Sequence, residues 1–173
     1  MRKFIVLFFI ASFSYAQSTL TLNSSKSKIK YKAKHALNSW EGTNNEVSGA
    51  IIFNEGISNI AVATKAIDFE SGNSNRDLHL LEYLDLLKHP YIKFYSDEIQ
   101  VEGNSIISDG EIEFQGKKKQ IKILAIVEKT DNQLKIQGKL QLIPSQFLNK
   151  LPSFMLFKIE DYLDISFELY FDK

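Results

Sequence analysis

The chain of 173 residues has no cysteine. That excludes disulfides, thiol catalysis, thiolate metal ligands and a lipid anchor on a cysteine behind a leader. An excess of one charge is missing too, with 21 Lys+Arg against 21 Asp+Glu. A chain so balanced has no electrostatic footprint for nucleic acid. The apolar run from Phe4 to Ile10 falls well short of the ~20 residues a membrane-spanning helix needs. Histidine occurs only 3 times, at His35, His79 and His89, and no two show H-x-H or H-E-x-x-H spacing. There is no G-x-S-x-G elbow and no glycine-rich phosphate loop. No metal, cofactor or catalytic residue is therefore expected.

The opening "MRKFIVLFFIASFSYAQS" has the build of a secretory leader. Arg2 and Lys3 form the charged start, the apolar run follows, and Ser14 and Ala16 supply the small residues for cleavage. Residues 1–16 are read as this leader and 17–173 as the mature domain, placed in the periplasm or secreted. Without Arg2 and Lys3 the mature chain carries 19 basic against 21 acidic residues. A domain of this length buries roughly 68–70% of its unfolded surface, enough for one core that needs no disulfide.

From Lys26 onward the dominant signal is period-two alternation. In "KIKYKAKHA", Ile29, Tyr31, Ala33 and His35 share one face and four lysines the other. "DISFELYF" sets Ile165, Phe167, Leu169 and Phe171 opposite polar residues, and "EIEF" and "LKIQGKLQL" alternate likewise. Gln120–Glu128 is apolar on both faces at its middle. Further runs around 47–53, 59–67 and 91–101 bring the count to about eight strands. "EGNS" and "TDNQ" read as hairpin turns, and "QGKKKQ" as a turn carrying three lysines. About eight antiparallel strands in one domain mean a barrel or a sandwich, and closure removes the exposed edges.

"NRDLHLLEYLDLLKHP" breaks this pattern. Ser74 is read as the N-cap with Asp77 three residues on. Leu80, Leu84 and Leu87 form an apolar stripe. Lys88 and His89 suit a helix C-terminus, and Pro90 ends the helix. A lone helix in a β chain covers an open end or a seam of the barrel. Arg76 and His79 share a face that fixes it there.

Four segments, "KIKYKAKHALNSWEG", "VSGAIIFNEG", "NRDLHLLEYLDLLKHPYIKFYSDEI" and "ISDGEIEFQGKKKQIKI", together with the spacing of the C-terminal stretch, resemble the YceI-like family of bacterial periplasmic proteins, also called polyisoprenoid-binding. The resemblance spans residues 26–171. Arg76-Asp77 through His79-Leu80 to His89-Pro90 and Phe94 is its most specific run. Where the family often has an aromatic, Asn44 stands here, and "HALNSW" looks closer to a subgroup.

The resemblance implies an eight-stranded, antiparallel, lipocalin-like barrel that holds a long isoprenoid, quinone or fatty-acid-type lipid. The residues expected against such a ligand are Ile29, Tyr31, Ala33, His35, Ile51, Phe53, Arg76, His79 and Phe94. To these are added Phe114, Ile123, Ala125, Ile136, Leu140, Phe147, Ile165, Phe167 and Leu169. Small inward positions (Ala33, Gly49, Ala125, Gly138) among large neighbours suggest a hollow interior. The apolar stretch 147–157, "FLNKLPSFMLF", is expected to plug the mouth, or else to form a lid or a membrane-facing lip. A homodimer is compatible with these readings. Two other readings remain open from the residues: an enzyme acting on a lipid in the same cavity, and a filled, ligand-free structural or stress-response barrel.

Overall fold

The computed structural model describes residues 18–36, 38–54, 56–154 and 157–173. The expected leader lies outside these residues, as do Met155 and Leu156.

The alternating segments form strands β1 (Ser18–Leu22), β2 (Lys28–His35), β3 (Asn38–Asn44), β4 (Val47–Phe53), β5 (Ile57–Lys65), β6 (Tyr91–Glu102), β7 (Ser105–Phe114), β8 (Lys117–Lys129), β9 (Gln133–Leu142) and β12 (Leu163–Asp172), with a small hairpin β10 (Ser153–Phe154) and β11 (Phe157–Lys158) between the last two. β1 and β2 act as one interrupted strand and β3 and β4 as another, because β1 pairs with β4 and β2 with β3 in the same antiparallel sense. β12 then returns to pair with both β1 and β2. The result is the expected closed, eight-stranded antiparallel barrel. On its outside, opposite charges face each other across strands: Lys28–Glu168 at 3.1 Å, Lys122–Asp109 at 3.2 Å and Lys93–Glu113 at 3.5 Å. Such exposed pairs are worth little singly.

One end of the barrel is solid. Leu20, Leu22, Ile51, Ile57, Ile60, Ile106, Leu134, Leu169 and Phe171 pack there as a continuous cluster, with Ile51 and Phe171 fully shielded. Each such side chain contributes roughly 1.5–3 kcal/mol of burial. At the other end, the mouth, sit the connections 66–90 and 143–162.

The helix α1 (Ser74–Tyr83) crosses the mouth. Its N-cap is Asn73, whose side chain accepts from the Arg76 amide at 3.1 Å, not Ser74 as expected. Asp77 instead holds the preceding loop, accepting from Ser71 Oγ at 2.5 Å and Ser71 N at 3.1 Å. The helix also ends earlier than Pro90. Asp85 takes a left-handed φ of 44°, and the chain beyond it turns. Leu86 is thereby buried at 4% exposure, while Leu87, expected in the stripe, is 85% exposed. Lys88 follows the helix and pairs with Asp85 at 2.7 Å.

"QGKKKQ" also differs from expectation. The turn is only Gln115 and Gly116, with φ of 53° and 68°, as a two-residue hairpin of type I′ requires. The three lysines belong to β8, where Lys118 meets Glu111 at 2.8 Å and Lys117 donates to Asn149 Oδ1 at 2.9 Å.

Two seams part at the mouth. β3 has β2 on one side only, and its other edge meets the 66–90 connection through the Thr43–Glu70 bridge. β8 and β9 pair only from Ala125–Gly138 to Lys129–Leu134; above that, β8 stays with β7 and β9 with β12.

Candidate functional site

Above the solid end the barrel is hollow. Two adjoining lobes have volumes of about 140 and 150 Å³. A single water needs only ~10–15 Å³, so these are not packing defects. Phe69, Ile92, Ile112, Leu142 and Ile165 wall both lobes, which makes them one elongated space. Along β12 its wall runs from Leu163 to Leu169, about 20 Å at ~3.3 Å per residue.

The lower lobe is walled by Ile29, Phe94, Ile123, Ala125, Ile136, Leu140, Ile165, Phe167 and Leu169 among the residues expected there. Tyr31, Ala33, Phe114 and Phe147 wall the upper lobe, with Ile165 again. Ile51 and Phe53 are placed elsewhere: Ile51 is in the solid end, and Phe53 packs against it beneath Lys129 Nζ at 5.0 Å. His35 is buried at the rim, bridged to Ile159. His79 is on an exposed part of α1. Arg76 stays outside the lobes but stacks over the Trp40 ring, 5.0 Å from its centroid.

The small inward residues do not all create space. A Cβ on Gly138 would lie 2.6 Å from Phe167 Cζ, and one on Gly42 2.3 Å from Tyr31 Cε1. In both places an aromatic from the paired strand fills the gap. Ala125, by contrast, lines the lower lobe.

The roof is apolar inside and polar outside. Phe147 is 3% exposed and meets Phe114 with ring centroids 5.9 Å apart. Leu148 and Pro152 also wall the upper lobe. Tyr83 donates its hydroxyl to Leu151 O at 3.1 Å, and Gln115 donates its amide to Leu84 O, so helix, turn and roof are tied together. The first part of the 147–157 stretch thus packs over the mouth. The rest of it includes Met155 and Leu156, outside the described residues.

The polar residues of the cavity are only partly legible in the sequence. Trp40 and Phe69 wall the upper lobe with Tyr31 and Asp77. Trp40 follows the same alternation from "NSWEG", which carries too few apolar residues to read as a strand face. The Tyr31 hydroxyl, the Trp40 indole nitrogen and the Ser108 hydroxyl are shielded without a hydrogen-bond partner among the described residues. Burial pushes the Tyr31 hydroxyl above its ordinary pKa, while the nearby Trp40 indole pulls the other way without reaching hydrogen-bond geometry. Tyr31 at the pH of any cell compartment is therefore a neutral donor.

A larger groove of about 640 Å³ lies on the barrel's outer face, edged by Lys28, Lys30 and Lys139. It is more open to solvent than the interior, which is nearly all apolar, the build of a small-molecule site.

The YceI-like domain profile matches residues 20–171. A UPF0312 protein of Pectobacterium carotovorum is 28% identical over 101 residues, 55% of this chain and 53% of that protein. The match thus spans about half the length of the curated relative. Among solved structures, Burkholderia cenocepacia BcnA superposes with a TM-score of 0.77 at 18% identity, over 86% of this chain and 98% of that one. A polyisoprenoid binding domain from Saccharophagus degradans gives 0.72 at 11%, over 88% and 97%. The Campylobacter jejuni YCEI protein gives 0.65 at 18%, over 76% and 84%. At these identities the likeness is one of fold.

Proposed function

The chain belongs to the YceI-like family, and from that premise we propose that it binds one long, apolar lipid of the isoprenoid type inside its barrel. The observation that carries this is the elongated space inside the barrel between Leu169 and Phe147, walled almost wholly by hydrocarbon. Each CH₂ moved from water into such a space contributes ~0.8 kcal/mol. Several isoprene units therefore outweigh the cost of ordering the chain. The name of the Saccharophagus neighbour, a polyisoprenoid binding domain, supports the same class. Quinone and fatty-acid-type lipids fit the same apolar walls. The reading is of a carrier or store rather than an enzyme, since binding by desolvation asks for few polar groups. With the leader read over residues 1–16, we place it outside the cytoplasm.

Native mass spectrometry of freshly purified, exported protein, followed by solvent extraction, tests this. A bound lipid that survives purification and leaves with the solvent is expected. Protein that emerges empty and takes up no added long-chain lipid would overturn the proposal.

A further inference from the structure

We propose that the flank of the barrel at the β8–β9 seam is a docking surface for an anionic phospholipid bilayer. The surface lies outside the cavity and does not depend on what the cavity holds.

β8 is apolar on both faces at its middle, and the cavity accounts for only one of them. Ile123 and Ala125 wall the lower lobe. Leu124 and Ile126 point the other way and are 62% and 50% exposed. Ile107, the partner of Leu124 on β7, extends the patch and is half-buried. A single exposed leucine needs no explanation. Here two successive outward positions are apolar on a strand face that otherwise carries Lys118, Lys122 and Glu128. Grouped apolar side chains left in water mark a contact surface.

Leu124 and Ile126 also edge the outer groove, together with Lys28, Lys30 and Lys139. Ala125 and Phe167 line both this groove and the lower lobe, so groove and cavity share a wall. The pairing of β8 with β9 stops in that wall, at Ala125–Gly138.

The charges around the groove identify the partner. Glu168 holds Lys28 at 3.1 Å, Asp109 holds Lys122 at 3.2 Å and Glu41 lies 4.0 Å from Lys32. Asp164 accepts from Gln141 at 3.1 Å. Lys30 and Lys139 have no acidic partner among the described residues. Both are register partners of Ser166 on β12. A row therefore runs Lys30, Ser166, Lys139, with the two lysine backbones about 10 Å apart at ~4.8 Å per strand. Two unpaired ammonium groups beside apolar side chains complement an anionic bilayer. The lysines meet phosphates, while Leu124 and Ile126 enter the boundary with the acyl chains. A soluble anion would engage the lysines and leave the apolar pair in water. An apolar protein surface would cover that pair but bury both ammonium groups without counter-charges.

Vesicle flotation of the purified, exported protein provides the test, with vesicles of phosphatidylcholine alone and of phosphatidylcholine mixed with phosphatidylglycerol. Wild type is expected to float with the mixed vesicles and far less with the neutral ones. Lys30→Gln and Lys139→Gln should each lower partitioning roughly fivefold, the worth of one lysine at an anionic surface. Leu124→Ser and Ile126→Ser should each lower it roughly threefold or more, through hydrocarbon no longer buried. All four should melt as wild type, since none of these side chains is in the core. Leu87→Ser, at the mouth and 85% exposed, should change nothing. The chain has no cysteine, so an environment-sensitive dye on Ile126→Cys reports from that site alone. Its emission should shift to the blue on mixed vesicles, and that of a dye on Leu87→Cys should not. Equal partitioning onto neutral vesicles, unchanged partitioning in all four flank variants, a loss confined to Leu87→Ser, or a blue shift only at Leu87→Cys would overturn the surface. None of these results would touch lipid binding in the cavity, which solvent extraction judges separately.

Discussion

The ring of Phe167 stands where a side chain on Gly138 would begin, with Cζ 2.6 Å from the position of an added Cβ. The two residues are direct partners across β9 and β12. Leu124 O lies 2.9 Å from the same point, so a methyl group there meets backbone as well as a ring. Gly138→Ala should cost ~1–3 kcal/mol, as overpacking does, and should push Phe167 into the lower lobe. Thermal melting would record the first effect and reduced lipid uptake the second.

Ala125 faces the same lobe from β8. Ala125→Phe is expected to occupy ligand space without forcing the walls apart. Melting of the lipid-free protein should then move by less than the ~1–3 kcal/mol of overpacking a filled core, while extracted lipid falls sharply. A large loss of stability with no change in lipid content would mean the barrel is packed at that level.

Leu86 and Leu87 are neighbours with opposite surroundings, 4% and 85% exposed. Leu86→Ala should cost ~2–5 kcal/mol, as truncations in a core do. Leu87→Ala should stay within ~0.5 kcal/mol. Denaturant melts of the two variants check the turn at Asp85, since a helix running on to Pro90 would bury Leu87 instead.

Asp172 joins the barrel's closing strands, its carboxylate accepting from Asn23 at 2.8 Å and Gln133 at 2.7 Å. These bonds hold its pKa below the ordinary value. The unfolded chain therefore takes up this proton first as pH falls. The stability it carries is present above the unfolded carboxylate pKa of ~3.9 and is lost as pH drops through the lower folded value. In urea melts between pH 5 and 2 (both approximate), Asp172→Asn should flatten part of the acid slope; a parallel slope would mean the carboxylate is as well solvated folded as unfolded.

Export should leave Gln17 as the first residue, since Ser14 and Ala16 supply the small positions for cleavage. N-terminal sequencing of the protein from fractionated cells decides this. Chains that begin at Met1 in the cytoplasm would contradict it.

Much of the barrel was legible because alternation is a direct image of the pleat. Ile29, Tyr31, Ala33 and His35 share the inner face, and the lysines between them point outward. What alternation cannot show is depth along the barrel. Ile51 and Ile165 look alike in sequence, yet one sits in the solid end and the other in the cavity wall. Single backbone angles are equally silent. The left-handed φ at Asp85, a residue without glycine's freedom, shortens the helix where the leucine spacing would extend it. Asn44 shows a third limit. It is fully buried, donates to Lys65 O at 2.8 Å and accepts from Glu46 N at 2.7 Å. Its polarity serves a strand kink that no periodicity announces. Trp40 is hidden in the sequence by its polar neighbours, although its inward face follows from pairing with Ala33.

The parting of β8 from β9 above Ala125 and Gly138 makes the barrel unequal in mechanical character from foot to rim. Around the foot, the strands are laced together by backbone hydrogen bonds, and any widening must break them. At the rim, β8 is laced only to β7 and β9 only to β12, and the two sides meet through the bond from Lys117 Nζ to Asn149 Oδ1 and the contact of Phe114 with Phe147. Prising the rim apart exposes hydrocarbon to water but severs no rung between these two strands. Parting this wall at its upper half would break no backbone hydrogen bond between β8 and β9, whereas parting its lower half would break the rungs from Ala125–Gly138 to Lys129–Leu134.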